Sequence, residues 1–348
     1  MSNALPTLIV GAGIAGMTAA HKLAESGQRV TVLDKGNRPG GRMSTRVSRS
    51  GPIFDQGAQY LTARSVTFQQ EVDRWIDLGV GAEWDGRFVD LKEDEAPTDS
   101  KRVAKRYVGT PGMGSIVGHL CESAEDIDAI DGPHFGVRVT QLQKTDGGWS
   151  ATDEEGKTHG PFGKVVLTIP APQARELLTT PAPELADALG DATVSATWTL
   201  MLAFEKPLEL WQPLDAAFVE DPNNELSIFA NISTKPGRPS VEEAGECWVA
   251  HGRSDWSEAH LEDSPESVAV ALTAAFGRAL GRTLPTPTYA AVHRWRYANV
   301  VEPLGDRWLL DEKLGLGVCG DACTAGSHTN IERAWLSALG LAERIADS

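Results

Sequence analysis

Long apolar runs are absent from this chain. None of its uninterrupted apolar stretches approaches the roughly 20 residues that a membrane-spanning helix needs. The apolar segment 8–14 lies close to the amino terminus, but it is short and lacks the basic flank and the small-residue cleavage site of a secretory signal. We therefore expect a cytoplasmic protein without a membrane partner.

Cysteine is scarce as well. The chain has four cysteines: Cys121, Cys247, Cys319 and Cys323. They are too few and too scattered for a disulfide framework, which is typical of a protein from a reducing compartment. The close pair Cys319 and Cys323 lacks the second pair of ligands that a structural zinc site requires, so no metal site is predicted.

Positive charge is in deficit. Lys and Arg number 32 against 48 Asp and Glu, which gives a formal net charge of -16 at pH 7. Such a protein repels polyanions at long range, so nucleic acid is not expected as a partner. An anionic substrate would need a local basic patch. The run Lys101, Arg102, Lys105 and Arg106 either meets the phosphates of a dinucleotide or is a solvated face.

Glycine is abundant, and its first cluster separates a predicted strand from a predicted helix. The motif Gly11-Ala12-Gly13-Ile14-Ala15-Gly16 follows the apolar segment 8–10 and precedes a helix predicted over 17–26. In this G-x-G-x-x-G spacing the first glycine makes the turn, the second admits a pyrophosphate and the third allows close helix packing. A second strand predicted over 29–33 completes a βαβ unit.

Asp34 is the predicted ribose ligand. It ends the second strand, 18 residues after Gly16, where a carboxylate can accept hydrogen bonds from ribose hydroxyls. The same carboxylate repels a 2′-phosphate, so the bound nucleotide is predicted to be FAD or NAD rather than NADP. A glycine-rich turn without a ligand is the alternative for this segment.

Three further motifs resemble those of the amine-oxidase-like flavoproteins, in the same order along the chain. Gly40-Gly41-Arg42-Met43-Ser44 resembles their G-G-R signature, and Asp55-Gln56-Gly57-Ala58-Gln59-Tyr60 resembles their flavin-contacting loop. Gly317-Val318-Cys319-Gly320-Asp321 resembles the strand that delivers an aspartate to the flavin ribityl chain, although a turn or capping role is the alternative for Asp321. The resemblance implies FAD as a noncovalent cofactor. With the glycine turn, the implied FAD contacts are Gly11, Gly13, Ile14, Ala15, Gly16, Asp34, Lys35, Gly41, Arg42, Gly57, Ala58, Gln59, Tyr60, Val139, Gly320, Asp321 and Ile331.

Within that superfamily the chain most resembles the bacterial renalases, over nearly its full length. The segments that carry the resemblance are 59–64 (QYLTAR), 107–113 (YVGTPGM), 170–174 (PAPQA), 293–298 (HRWRYA) and 334–337 (AWLS). Such enzymes oxidise the 2- and 6-dihydro isomers of NAD(P) by hydride transfer to FAD and then reduce O2 to H2O2. The resemblance implies this activity, with a small dihydronicotinamide dinucleotide and O2 as the partners.

The implied fold is α/β, with a Rossmann-like FAD-binding domain assembled from discontinuous segments and a mixed-sheet α+β substrate domain, in the amine-oxidase/PHBH-like architecture. We assign residues 1–75, 112–180 and 298–348 to the FAD-binding domain and 76–111 and 181–297 to the substrate domain. The acidic stretch 90–99 is interpreted as an exposed loop between the lobes. Helices are predicted over 65–78, 265–280 and 330–345, and strands over 137–142, 149–153, 164–168, 197–204, 247–251 and 316–319.

The candidate substrate residues are Tyr60, Arg64, Thr197, His293, Trp295 and Tyr297. His293, Trp295 and Tyr297 alternate along a segment predicted to be extended, which places them on one face. That face either lines the pocket or is a half-buried aromatic strand of the core. In the first case Tyr60 and His293 are expected to hold the nicotinamide ring.

A lysine near the flavin N5 is characteristic of the true amine oxidases of this superfamily. The corresponding stretch here, 195–199, offers threonines and no lysine, and Lys206 beyond it is interpreted as a surface residue. Hydride transfer from a dihydronicotinamide needs no general base, so no catalytic side chain is assigned. Turnover of simple monoamines is expected to be negligible.

The chain departs from the renalase pattern over 325–331, which replaces a shorter, usually arginine-containing link. The helix that follows is expected to point its amino terminus at the flavin pyrimidine edge, where its dipole favours the negative charge of reduced flavin. The contacts of 322–331, the preferred isomer and the choice between NAD and NADP stay open, and a monomer or weak dimer is expected. An amine oxidase or desaturase of the same fold and a non-catalytic flavin-binding redox sensor are the alternative functions.

Overall fold

The structure is a computed structural model that describes residues 4–49, 51–93, 95–102, 104–210, 212–323 and 329–347. Its helices are α1 (Ile14–Glu25), α2 (Val66–Asp77), α3 (Gly114–Glu125), α4 (Ala171–Leu178), α5 (Pro183–Leu189), α6 (Val241–Ala244), α7 (Ser254–Ala259), α8 (Pro265–Ala279) and α9 (Asn330–Ala346). Its strands are β1 (Thr7–Val10), β2 (Val30–Asp34), β3 (Thr45–Val47), β4 (Ile53–Asp55), β5 (Gly81–Glu83), β6 (Phe88–Leu91), β7 (Thr98–Asp99), β8 (Tyr107–Gly109), β9 (Ile130–Phe135), β10 (Val139–Thr145), β11 (Gly148–Asp153), β12 (Thr158–Phe162), β13 (Lys164–Leu167), β14 (Thr193–Phe204), β15 (Ala216–Val219), β16 (Leu226–Asn231), β17 (Glu246–Gly252), β18 (Tyr289–Glu302), β19 (Leu309–Asp311) and β20 (Leu316–Val318).

The first lobe is built on a six-stranded sheet in the order β19-β20-β13-β1-β2-β9. Its strands are parallel except β19, which runs antiparallel to β20 at one edge. All of β1 is buried, as expected for a central strand that is covered on both faces. Ile9 packs into the core shared with α1, α3 and α9, whereas Leu8 and Val10 pack towards β11 and α4 on the opposite face.

The second lobe is a seven-stranded sheet in the order β18-β14-β17-β16-β15-β6-β7. One face of β14 carries Trp198 and Leu200, which pack with α8 into a separate core. The next residues in the alternation, such as Met201, pack into the core that contains α1 and Phe54 of the first lobe. The sheet therefore turns its α8-free face towards the glycine turn of the first lobe, and the candidate site lies between the two.

Two sequence-based interpretations change at the edges of the lobes. The acidic stretch 90–99 is not a loop between lobes, because its ends belong to β6 and β7, which pair as an edge hairpin of the second sheet. The predicted boundary between residues 297 and 298 falls inside β18, which pairs with β14 as far as Glu302. The remaining domain boundaries stay a prediction. None of the helices in the described ranges has the length and apolar composition required to cross a membrane.

Candidate flavin and substrate site

The glycine turn between β1 and α1 leaves one side of its backbone open. A Cβ on Gly16 would collide with the carbonyl oxygen of Gly11, so this glycine allows α1 to pack against the turn. Gly13 is different, because no atom of the surrounding described residues lies within 4 Å of the position of its Cβ. Its φ of -80° is also accessible to any residue. Gly13 therefore keeps space free for a ligand, while Ile14 and Ala15 are buried in the first turn of α1.

Asp34 lies beside this turn at the end of β2. Its Oδ2 accepts a hydrogen bond from Ala12 N at 2.7 Å, and its Oδ1 accepts one from Gly36 N at 2.6 Å. A carboxylate has about four acceptor positions, so both oxygens can still accept from ribose hydroxyls. Lys35 is exposed and its Nζ donates to Gln173 Oε1 at 3.0 Å, which directs it along the surface. Val139 is buried at the start of β10.

Arg42 and Asp321 meet at the same turn from opposite ends of the chain. Arg42 Nη1 lies 2.5 Å from Asp321 Oδ2 and Nη2 lies 2.6 Å from Oδ1, a bidentate ion pair. Gly41, with φ of +53°, lies so close to the turn that a Cβ on it would be 3.6 Å from Gly13 Cα. Gly320, with φ of +139°, has open space at its Cβ position among the described residues. The Gly-Gly-Arg motif and the motif that ends in Asp321 therefore meet beside the glycine turn.

The predicted flavin loop, residues 55–60, packs directly on Arg42. Ala58 N donates to the carbonyl oxygen of Arg42 at 3.0 Å, and a Cβ on Gly57 would collide with that same oxygen. Gln59 is buried, and its Nε2 donates to Asp55 O at 2.6 Å and to Gly57 O at 2.9 Å. Gln59 thus holds the loop in shape by hydrogen bonds within the loop itself.

A buried ion cluster lies under this loop, and sequence reasoning missed it. Asp55 Oδ2 contacts Lys235 Nζ at 2.9 Å and Arg238 Nη2 at 2.6 Å, with all three side chains almost fully buried. Lys235 Nζ also donates to Gln59 O at 2.7 Å. Burial alone would raise the pKa of the Asp55 carboxyl, but the charges of Lys235 and Arg238 and a hydrogen bond from Met113 N hold it below its usual value.

A polar row crosses the second sheet above the flavin loop. Thr199 on β14 is directly opposite His251 on β17 and His293 on β18, so the three side chains share one face. Thr199 is fully buried, and its hydroxyl has no hydrogen-bond partner among the described residues. Burial and the nearby Lys235 charge lower the pKa of His251 to about 4, and burial followed by the Arg46 charge lowers the pKa of His293. Both imidazoles are therefore neutral at pH 7.

Trp295 joins this row to the flavin loop. Its Nε1 donates to Gln56 O at 2.9 Å, and its ring lies edge-on to that of His293 with the centroids 4.3 Å apart. Thr197 lies opposite Trp295 and its hydroxyl accepts from Asn299 Nδ2 at 3.3 Å. The predicted aromatic strand therefore contacts the flavin loop, and Tyr297 is half-buried on the same strand.

Tyr60 and Arg64 contact elements other than β18. The Tyr60 ring packs edge-on against Phe88 of β6 at 5.8 Å. Gln59, the residue before Tyr60, reaches the polar row, because its Nε2 lies 3.2 Å from His251 Nε2. That Tyr60 and His293 hold one substrate ring stays a prediction. Arg64 is exposed, and its backbone N donates to Glu332 Oε2 at 3.1 Å.

The basic run at 101–106 is largely neutralised. Arg102 pairs with Asp90 and with Glu220, and Lys105 Nζ lies 2.8 Å from Glu83 Oε2. The Arg106 guanidinium stacks over the Phe88 ring at 3.6 Å. These contacts favour the solvated-face interpretation of the run over a phosphate site.

The first turn of α9 lies near the Arg42–Asp321 pair, because the charges of both groups act on Arg333. That this helix terminus points at the flavin stays a prediction. Thr329 Oγ1 donates to Thr62 O at 3.2 Å, and Glu332 in the first turn accepts from Ser65 N at 2.7 Å. Ile331 is half-buried between these residues. Residues 325–328 of the link that departs from the renalase pattern lie outside the described residues.

Two parts of the chain match known protein families. Residues 9–75 match the NAD(P)-binding Rossmann-like domain, and residues 85–346, more than half of the chain, match the flavin containing amine oxidoreductases. The chain belongs to the flavin-containing amine oxidoreductase family. FAD is therefore its cofactor, and the predicted fold class is confirmed.

Two curated relatives match this family member over about 60 residues each. A hydroxyneurosporene desaturase from Cereibacter sphaeroides is 46% identical over 59 residues, which are 17% of this chain and 12% of the relative. An L-amino-acid oxidase from Bungarus fasciatus is 42% identical over 64 residues, 18% of this chain and 12% of the relative. The matches thus cover a small part of each relative's length.

Solved structures share the whole fold of this family member. A putative protoporphyrinogen oxidase from Exiguobacterium sp. 255-15 superposes with a TM-score of 0.75 at 15% identity, over 99% of both chains. A putrescine oxidase bound to putrescine gives a TM-score of 0.73 at 13% identity, also over 99% of both chains. At these identities the likeness establishes the fold alone.

The residues at the turn suit FAD. The space in front of Gly13 and the amino terminus of α1 can take the pyrophosphate, and Asp34 can take the ribose hydroxyls of the adenosine. Arg42 and Asp321 can take the ribityl end, because they join the glycine turn to the loop 55–60. These individual contacts, and noncovalent attachment, stay predictions.

Asp34→Asn is expected to weaken FAD binding, and Asp34→Ala is expected to weaken it further. Loss of a charged acceptor costs about 1.5–3 kcal/mol, roughly ten- to hundredfold in affinity, and Asn keeps one neutral acceptor. Fluorescence titration of the apoprotein with FAD measures the effect. Asp131→Ala, on the neighbouring strand β9 at an exposed pair with His134, is the matched control. Equal FAD affinity in the Asp34 and Asp131 variants would mean that the ribose is held elsewhere.

Proposed function

We propose that this family member is a flavoprotein oxidase of isomeric dihydronicotinamide dinucleotides. In the proposed reaction 2- or 6-dihydro-NAD(P) gives a hydride to FAD and leaves as NAD(P)+. O2 then takes up the two electrons, the hydride's proton and one proton from solvent, and becomes H2O2. When bound, FAD supplies the hydride acceptor. The support is the renalase resemblance of the sequence and the chemistry of the polar row above the flavin loop.

The observation that carries the proposal is the weak basicity of that row. Thr197 and Thr199 lie in the stretch that corresponds to the lysine-bearing stretch of the true amine oxidases of this superfamily. Lys235 is buried and bound by Asp55 and the flavin loop, so it does not face a substrate. His251 and His293 have lowered pKa values. Hydride loss turns a dihydronicotinamide into an aromatic pyridinium without proton removal, so this reaction needs no stronger base.

His293 and Trp295 are the groups that would orient the substrate ring. Trp295 is fixed by its hydrogen bond to Gln56 O, and it in turn supports the His293 ring. A neutral imidazole has one donor and one acceptor nitrogen. His293 can therefore donate a hydrogen bond to the carboxamide oxygen or accept one from the carboxamide NH2 group. Fixing the carboxamide decides which ring carbon faces the flavin.

Anaerobic mixing of the FAD-loaded protein with 2-dihydro-NAD, 6-dihydro-NAD and ordinary 4-dihydro-NADH tests the proposal. At least one of the 2- and 6-isomers is expected to bleach the flavin rapidly, whereas 4-dihydro-NADH does so slowly. Hydride transfer needs the donor carbon within about 3–3.5 Å of the acceptor, so a ring held by its carboxamide presents one side only. Equal rates with all three compounds would make the protein a general NADH oxidase and contradict the proposal.

The same experiment on His293→Ala tests whether His293 lines the substrate pocket. Misplacement of the ring is expected to slow flavin reduction by about a hundredfold without loss of FAD. His134→Ala, at an exposed histidine of β9, is the control and should behave as the wild type. Unchanged reduction in His293→Ala would place the substrate ring away from β18.

An amine oxidase or desaturase of the same fold is the second candidate. It is favoured by the relatives, which include a desaturase and an L-amino-acid oxidase, and by the structural likeness to putrescine oxidase. Putrescine, benzylamine and an L-amino acid belong in the same anaerobic series. Rapid bleaching by one of them, with none by the dihydronicotinamides, would establish this candidate instead.

A further inference from the structure

A buried arginine with incomplete hydrogen bonding lies in the first turn of α9. Arg333 is 7% exposed. Its Nη2 donates to Asn330 Oδ1, whereas its Nε is buried and has no partner within the described part of the chain. Burying a charged group is costly unless other groups compensate, so the incomplete bonding of Arg333 points to a partner other than the described residues, such as a bound ligand.

The carboxylates nearest to Arg333 are already bonded to other groups. Arg42 binds both oxygens of Asp321. Burial and the Arg42 charge lower the pKa of Arg333, and Asp321 opposes them, but an arginine stays protonated at physiological pH. The neighbouring Glu332 accepts hydrogen bonds from Ser65 N and Ser65 Oγ, each at 2.7 Å, and from Arg64 N. The partial positive charge of the α9 amino terminus acts in the same direction as the Arg333 charge.

The permanent negative charge of FAD is accounted for elsewhere. Its pyrophosphate has a place in front of Gly13, at the amino terminus of α1, a different helix. A second helix terminus with a buried arginine is therefore available for another negative charge. A hydride brings one proton and two electrons to the flavin ring, so the reduced ring gains one net negative charge, which resides on its pyrimidine part.

We propose that Arg333 stabilises the negative charge that the flavin pyrimidine ring carries in its reduced state. Arg333 approaches the ring from α9 beside Asp321, so its charge acts on the reduced cofactor more than on the oxidised one. This difference raises the reduction potential of the bound flavin. The inference rests on the FAD site and holds whichever substrate the enzyme oxidises.

Sulfite is a probe that separates this role from substrate turnover. It adds to oxidised flavin and leaves the same negative charge on the ring. Arg333→Gln is expected to weaken sulfite binding by about tenfold or more, because a charged hydrogen-bond donor is lost. The same factor lowers the two-electron reduction potential by about 30 mV. Arg333→Lys keeps the charge and should keep most of the sulfite affinity, and FAD affinity should change little in either variant.

Three outcomes would overturn the proposal. Loss of FAD affinity in Arg333→Gln with normal sulfite binding in the loaded fraction would show that Arg333 serves the pyrophosphate. Unchanged sulfite affinity and potential in a folded, FAD-loaded Arg333→Gln would leave Arg333 a purely structural role. If Arg333→Gln does not fold, the sulfite affinities of the wild type and of Arg333→Lys test the proposal instead. Absence of sulfite binding at millimolar concentration in the wild type would exclude a stabilised anionic ring.

Discussion

Asp55→Ala is expected to lower the free energy of unfolding by about 3–5 kcal/mol, because it leaves two buried cations without their counter-ion. Asp55 is fully buried between Lys235 and Arg238, and none of the three side chains can turn to solvent. Loss of the carboxylate also removes the acceptor of Met113 N. Urea unfolding of the FAD-loaded protein, followed by circular dichroism, measures the change.

Asp99→Ala is the matched control for this variant. Asp99 pairs with Arg87 at 2.9 Å, the same distance as the Asp55–Lys235 pair, but both side chains are exposed. Exposed pairs contribute about 0–1 kcal/mol, so this variant should unfold nearly as the wild type does. Similar losses in the two variants would mean that burial of the cluster does not determine its energetic importance.

The effect of Asp55→Ala is also expected to depend on pH. The folded-state pKa of Asp55 is lowered, so its charge stabilises the fold fully above the ordinary carboxyl pKa of about 4. That contribution is lost as the pH falls through the lowered pKa, because the folded carboxylate is then protonated. The stability difference between wild type and variant should therefore be largest at neutral pH and shrink below about pH 4.

Gly13→Val is expected to give a folded protein that does not retain FAD. The backbone at Gly13 has an ordinary φ of -80°, and the surrounding described residues leave its Cβ position free, so valine does not strain the polypeptide. The branched side chain fills the space that the pyrophosphate needs. The ratio of visible to ultraviolet absorbance after purification, together with thermal unfolding of the apoprotein, measures both parts of the prediction.

Gly118→Val controls for the substitution itself. Gly118 lies within α3, and no neighbouring described residue comes within 4 Å of its Cβ position. Valine has a better helix propensity than glycine, so this variant should fold and remain yellow. A yellow Gly13→Val protein would show that the dinucleotide does not approach the glycine turn.

Local motifs were the part of the site that the sequence could predict. Gly13, Asp34 and Arg42 stand in short patterns whose spacing has a geometric meaning, and the structure brings these patterns together at the glycine turn. Helix α1 begins at Ile14, three residues before its prediction, because Gly16 lies inside the helix where helix propensity is poor. The alternation of His293 and Trp295 correctly predicted a shared face.

Long-range partners were beyond the sequence. Lys235 follows a 3-10 turn at Ile232–Thr234 and bonds to Asp55, 180 residues earlier, without any pattern that marks the pair. Arg333 reads as one polar residue of an amphipathic helix, and only its burial beside Asp321 singles it out. The charged stretch 90–99 looked like a linker because an edge hairpin exposes its side chains to water, as a loop does.

The strand order of the six-stranded sheet has a consequence for biosynthesis. β1 lies between β2 and β13, β13 in turn pairs with β20, and Asp321 follows β20 near the end of the chain. During translation the amino-terminal βαβ unit emerges early, but its sheet stays incomplete until more than 300 residues have left the ribosome. Binding of the dinucleotide is thus a late event. Until β20 has been synthesised, the nascent polypeptide exposes an apolar sheet edge that can aggregate.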